Sequence, residues 1–260
     1  MKAKTWLFLL TLLFICHAEA QQFKVIAFYT AKNDLAHISF VHEANQWFPT
    51  MGKQYGFTYD STNNWSNLNA DFLSHYQVVL FLDTRPEDSL QRLAFQNYME
   101  HGGAWIGFHF AAFAMNVSGV KQNWDWYHEQ FLGSGEFVSN TWRPTSAILR
   151  KDDNTLFTSA PNEWYRWKND LRKNPNIRIL ASIDSTSFPL GTGPKKHEIW
   201  HSGYYPVVWT NTKYKMAYFN MGHNDMDYEG GTNKQLSSSF SSKEQNELLM
   251  KTLLLLERRK

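Results

Sequence analysis

The feature that most restricts this chain is an alternation in its first half, where short apolar runs closed by turns are separated by stretches with helical spacing. Phe23–Tyr29 reads as a buried strand, followed by a loop over residues 30–35. Ile38, Val41, Trp47, Phe48 and Met51 then fall at helical spacing as far as residue 55, and Gly56 closes that helix. Residues 57–59 read as a short strand, 60–69 as a polar loop and 77–83 as a third strand ended by Thr84-Arg85-Pro86. An amphipathic helix over 88–100 ends at His101-Gly102-Gly103 and feeds directly into the run 104–112, Ala-Trp-Ile-Gly-Phe-His-Phe-Ala-Ala. This order predicts an α/β fold built on a doubly wound, mostly parallel sheet with helices on both faces. Ligands of such sheets sit beyond the carboxyl ends of the strands. His109 stands at one of those ends, lifted out by the turn that follows Gly107 and Phe108.

The second half changes pattern. Residues 124–133 predict a short helix, 137–161 loops with a strand near 147–149, and Ile177–Ile183 a strand. Residues 189–196, with Gly191, Gly193 and Pro194, predict a turn or flexible loop. Residues 206–209 and 215–220 form a hairpin across Asn211-Thr212-Lys213, and 243–257 a closing helix. No internal repeat is visible and the serine run 237–242 is too short to link two domains, so residues 21–260 are expected to form one domain.

The amino terminus has the three parts of a secretory signal: basic Met1-Lys2-Ala3-Lys4, the apolar run 6–16, and Ala18-Glu19-Ala20 before Gln21. The apolar run is too short to span a bilayer, so a signal peptide of about residues 1–20 and a periplasmic or secreted mature chain are expected, with no transmembrane segment after cleavage. Leu13-Phe14-Ile15-Cys16 faintly resembles a lipoprotein box, but Ile15 is bulky where a small residue is wanted. Cys16 is the sole cysteine, so the mature chain would lack disulfides, thiolate metal sites and cysteine nucleophiles. A formal charge of +2, with no basic block except Arg258-Arg259-Lys260, argues against nucleic acid as a partner. The 11 Trp and 12 Tyr leave two readings open, packing and a platform for the apolar face of a sugar ring.

Three histidines share one topological address: His37 after the first strand, His109 at the end of the fourth, and His223 after a strand-ending glycine late in the chain. On neighbouring strands all three imidazoles would open at the same sheet edge, although each taken alone also reads as a loop or capping residue. Glu163 is the candidate fourth member, able to orient an imidazole. The set lacks a compact His-Glu-x-x-His spacing, so no cofactor is predicted, while a divalent metal held by His37, His109, Glu163 and His223 stays open. Asp125, Glu129, Asp225 and Asp227 are further acids near these histidines, and His128, His197 and His201 read as structural or rim residues. No Gly-x-Ser-x-Gly elbow exists; histidine stands at the strand-to-helix turn where an acyl-transfer enzyme carries serine or cysteine.

These residues resemble the ThuA-like (trehalose utilisation) family of the class I glutamine-amidotransferase-like superfamily. His37 matches the family's histidine after its first strand, and Gly107-Phe108-His109-Phe110-Ala111-Ala112 resembles its Gly-Ile-His-Ala-Ala-Ala. Trp126-Tyr127 with Leu132-Gly133, Glu163-Trp164-Tyr165, Pro206 to Trp209 and Met221-Gly222-His223 resemble its remaining motifs in order. Phe110 and Phe113 depart from it, standing near positions where the family has a small and an acidic residue. The resemblance implies a flavodoxin-like three-layer sandwich with His109 in the place of the amidotransferase cysteine, so glutamine amidotransferase activity is not expected. It implies a role in carbohydrate metabolism. The expectation is an exported enzyme acting on a disaccharide or keto-sugar, its ligand a small-molecule sugar, with His109 as general acid or base, His37 and His223 orienting the substrate and Glu163 fixing a tautomer. Trp126, Tyr127, Trp164 and Tyr165 would supply a stacking wall. A non-catalytic sugar-binding protein and a metal-dependent hydrolase are the alternatives.

Overall fold

The computed structural model describes residues 22–32, 35–115, 123–141, 145–184, 186–187, 204–223 and 237–258. The expected signal segment, the 189–196 loop, Asp225, Asp227, His197 and His201 lie outside the described residues. The first half follows the alternation: β1 (Phe23–Tyr29), α1 (Leu35–Tyr55), β2 (Phe57–Thr62), a one-turn α2 (Ala70–Leu73), β3 (Val78–Leu82), α3 (Ser89–Glu100) and β4 (Ala104–Phe108). The second half is richer in strands than its sequence pattern shows. It contains β5 (Phe137–Asn140), β6 (Ile148–Lys151), β7 (Leu156–Thr158), β8 (Tyr165–Trp167), β9 (Ile177–Ile183), β10 (Pro206–Asn211), β11 (Lys215–Phe219) and α4 (Lys243–Arg258).

Nine strands form one sheet in the order β2-β1-β3-β4-β11-β10-β9-β6-β7, and β5 pairs with β8 in a separate ribbon. From β2 to β11 every pairing is parallel. From β11 onward the pairings are antiparallel, so the sheet is extended by hairpins instead of crossovers.

Alternation along the parallel strands splits the core into two layers. Val25, Ala27, Leu80, Leu82, Ile106 and Phe108 face α1 and α4, against Phe40, Phe48, Leu249 and Leu253. Ile26, Phe28, Val79, Phe81 and Trp105 face the other way, against Phe95 and Met99 of α3 and the aromatic group Tyr127 and Phe131. Asp88 caps α3 by accepting from Leu90 N and Gln91 N, which fixes where the chain leaves β3. Gly107 is required by packing: a Cβ there would lie 2.0 Å from Trp105 Cζ2, because the indole folds back across it on the same sheet face.

Where a short helix is expected over 124–133, the chain makes a π-helical turn, Trp126–Phe131. Its carbonyls are used from outside. Asn211 Nδ2 donates to Gln130 O and Phe131 O, and Trp209 Nε1 donates to Leu132 O, so β10 satisfies the carbonyls that the end of the turn leaves without a helical partner.

Candidate active site

The site lies at the carboxyl edge of the parallel strands, and strand register builds it. Phe81 pairs with Gly107, so Asp83 and His109, each two residues on, stand opposite one another. Phe108 pairs with Phe219 on the other side, which brings the chain leading to His223 over the same edge. Three residues leaving these strands have left-handed backbones: Ala31 (φ 48°), Asp83 (φ 55°) and His109 (φ 43°). Each such non-glycine residue costs on the order of 1–3 kcal/mol, a cost that recurs where side chains are held for function.

His37, in the first turns of α1, meets His109 and His223 with ring centroids 5.9 and 5.1 Å away, and His109 and His223 are 5.5 Å apart. One ring nitrogen from each lies within 4.8 Å of those of the other two, so three of the expected residues do converge.

Two buried carboxylates orient them. Asp83 Oδ2 lies 3.1 Å from His37 Nδ1, and Asp83 Oδ1 is 3.2 Å from His109 Nδ1 and accepts from Phe110 N at 2.7 Å. Glu163 Oε2 is 2.7 Å from His223 Nδ1 and 3.4 Å from His109 Nε2, while Asn140 Nδ2 donates to Oε1. His109 is thus held between two carboxylates, each of which also holds one outer imidazole. Burial alone would raise both acids, but His37 and His109 hold Asp83 at about 2, and His109 and His223 hold Glu163 at about 2. Burial would lower His109, but hydrogen bonds to Asp83 and Glu163 push it up to about 9. The middle imidazole is therefore a cation near neutral pH.

The turn at His109 also differs from a nucleophile elbow in its donors. The N–H after the elbow residue commonly faces an oxyanion; here Phe110 N–H is taken by Asp83. Tyr165 lies over His109 with centroids 4.0 Å apart, and Tyr218 Oη donates to His109 O at 2.8 Å, fixing the ring and the turn.

Asp83 and Asn140 are the members that sequence reasoning missed. The signal for Asp83 was present as a charged residue ending an apolar strand at the edge where the histidines gather; Asn140 sits on a short strand with no such signal. The aromatic set is dispersed. Tyr127 and Trp164 are fully buried in opposite core layers, where neither offers a face to a sugar. Trp126 packs flat on Phe131, and only Tyr165 touches the histidine cluster. Glu129 accepts from Asn169 at the surface, Asp125 is exposed, and His128 is buried against Trp124 with its pKa lowered to about 3 by burial and by Arg85, in keeping with a structural role.

A family model described as ThuA, trehalose utilisation, matches residues 24–237. The chain belongs to the ThuA family. It is 31% identical to a ThuA-like protein of Bacteroides uniformis over 92% of this chain and 93% of that one, with a TM-score of 0.78. A ThuA-like protein of Parabacteroides merdae shares the fold at 16% identity and a TM-score of 0.58, over 92% of this chain and 91% of that one. No curated protein matches the chain. Membership of the ThuA family gives the chain a carbohydrate-related role. No described helix of this ThuA chain is long and apolar enough to cross a membrane.

Proposed function

We propose that this ThuA protein is an exported enzyme that moves protons on a disaccharide or keto-sugar. The observation that carries the reading is the row of three imidazoles whose Nδ1 atoms are all directed at two buried carboxylates. A histidine that donates from Nδ1 to a carboxylate presents Nε2 as a base, and when protonated it becomes an acid beside an anion that stabilises it. His37 and His223, 19% and 13% exposed, are the substrate-facing pair, whereas His109 is wholly buried and supplies positive charge between the acids. In this reading His223 takes the proton from the carbon beside a sugar carbonyl and His37 gives one to the carbonyl oxygen, so the substrate passes through a neutral enediol. Return of the protons in the opposite sense at the neighbouring carbon yields the isomer.

The place assigned to the sugar is a cleft of about 610 Å³ past the carboxyl ends of β1 and β3, lined among others by Thr30, Trp65, Thr84, Arg85, Asp88 and Gln91. Two of its lining residues, Thr30 and Thr84, hydrogen-bond at 2.9 Å, and Thr84 follows Asp83 in the chain. Trp65, half-buried, can meet an apolar pyranose face there, a role that Tyr127 and Trp164 cannot fill. Export rests on the amino-terminal signal pattern.

The test is a mass-spectrometric screen of disaccharides and their keto derivatives in deuterium oxide, with His37→Ala and His223→Ala alongside the parent protein. Deuterium entering the carbon beside the carbonyl with the parent alone supports the proposal. Sugar that binds without exchange or consumption points to a binding protein, and equal turnover by the variants removes the histidines from the chemistry.

A further inference from the structure

We infer that His37, His109 and His223 form a binding site for one divalent first-row transition-metal ion, with Asp83 and Glu163 as the carboxylates behind the ligands. The inference concerns the site used in the proposed function, and an ion bound there would occupy the Nε2 atoms of His37 and His223 that carry protons in that reading, so the loaded and the metal-free protein are tested separately.

Three features lead there. First, the geometry is near that of a three-imidazole metal site. Ligands about 2.1 Å from a tetrahedral ion stand roughly 3.4 Å apart; one nitrogen from each histidine already lies within 4.8 Å of the other two, so closure needs shifts of about an ångström. His37 and His223 retain partial exposure, which gives an ion a way in and the rings room to turn. Second, the outer contacts are those that metal-bound histidines use. His37 and His223 each place Nδ1 against a carboxylate, the arrangement that fixes the tautomer with its lone pair on Nε2 and makes the imidazole a stronger donor. Third, the charges call for it. Asp83 and Glu163 carry two negative charges into a site where their side chains are 0% and 4% exposed. One divalent ion on three neutral imidazoles balances both.

The donor type selects the ion. Imidazole nitrogens suit zinc, cobalt, nickel, copper and iron, whereas magnesium and calcium prefer shells made of oxygen. With three imidazoles as ligands, a tetrahedral or five-coordinate ion would keep a position for water or a sugar hydroxyl.

Cobalt(II) is the probe, because its visible d–d absorption reports coordination directly. Chelator-treated full-length protein should take up one equivalent with an absorption band typical of low-coordinate cobalt, and one equivalent of zinc should displace it. His37→Ala and His223→Ala should each weaken cobalt uptake by at least 100-fold, and Asp83→Asn by 10- to 100-fold, the range for loss of an outer carboxylate. His75→Ala and His101→Ala, which remove exposed histidines elsewhere, should leave uptake unchanged. Circular dichroism of each variant separates lost ligation from lost folding, and the double variant His37→Gln/His223→Gln, which keeps side-chain bulk, serves if an alanine variant unfolds. Absence of one-to-one uptake in the parent, or uptake that survives the double variant, overturns the inference. Full sugar turnover by chelated, metal-free protein would support the proton-transfer roles of the proposed function, whereas one-to-one uptake with turnover by the loaded protein alone would remove those roles and leave this inference standing.

Discussion

Asp83→Asn isolates the charge that organises the histidine row. Asparagine tolerates left-handed backbone as aspartate does, so the φ of 55° is not a reason for the variant to unfold, and its side-chain oxygen can still accept from Phe110 N–H. What disappears is the negative charge against both His37 and His109. His109 stands at about 9 instead of its ordinary 6.5, a displacement corresponding to roughly 3 kcal/mol of preference for the cation. Asp83 and Glu163 both supply it, so removing Asp83 should withdraw about half, and burial then acts against a weaker opposition. The expected pKa of His109 in the metal-free variant falls by more than one pH unit. Long-range proton–nitrogen NMR of the imidazoles, followed from pH 5 to 10, reads this directly. A His109 that still titrates near 9 in Asp83→Asn would refute the reasoning, because the positive charge would then come from somewhere other than this carboxylate.

Three further outcomes follow from the same geometry. In metal-free protein, Asp83 and Glu163, held at about 2, contribute stability that is complete above the ordinary carboxylate range and lost as pH falls toward 2; His109, raised to about 9, contributes stability that is complete below 6.5 and lost as pH climbs through 9. Urea unfolding across pH should therefore give a maximum between about 4.5 and 6.5, and stability that stays level from 6.5 to 9.5 would contradict the His109 assignment. Trp65→Ala should raise KM for the best sugar at least several-fold with little loss of stability, whereas Trp164→Ala and Tyr127→Ala should each cost about 3–5 kcal/mol of stability, as expected for large side chains buried in the two core layers. Gly107→Ala forces a methyl against the Trp105 indole and should lower stability by about 1–3 kcal/mol, measured by thermal unfolding; an unchanged midpoint would mean the indole can leave its place.

How far the sequence reveals this molecule depends on which interactions are local. The parallel half is legible because β1, β3 and β4 are runs of mostly buried residues and the helices between them carry their own start and stop signals: Gly56 after α1, Asp88 before α3, Gly102 and Gly103 after it. The antiparallel half is less so. β6 and β7 are only four and three residues long at the sheet margin, and their pairing is imposed by β9 instead of by periodicity of their own. The end of the π-helical turn is held by tertiary contacts, since the side chains that bond its last carbonyls come from β10, some eighty residues further along.

The site shows the same division. His37, His109 and His223 could be found because strand ends are recognisable and the three imidazoles sit at one edge; Asp83 sits there too, as the last residue of an apolar run. What sequence order does not encode is sharing. Asp83 serves His37 and His109, and Glu163 serves His109 and His223, so neither acid belongs to a single histidine and no pairwise motif describes them. The sharing also explains why His109, the residue most prominent in the sequence, is the one most withdrawn from solvent. Of the three imidazoles it is the one placed against both carboxylates, while His37 and His223 each meet one and keep partial exposure.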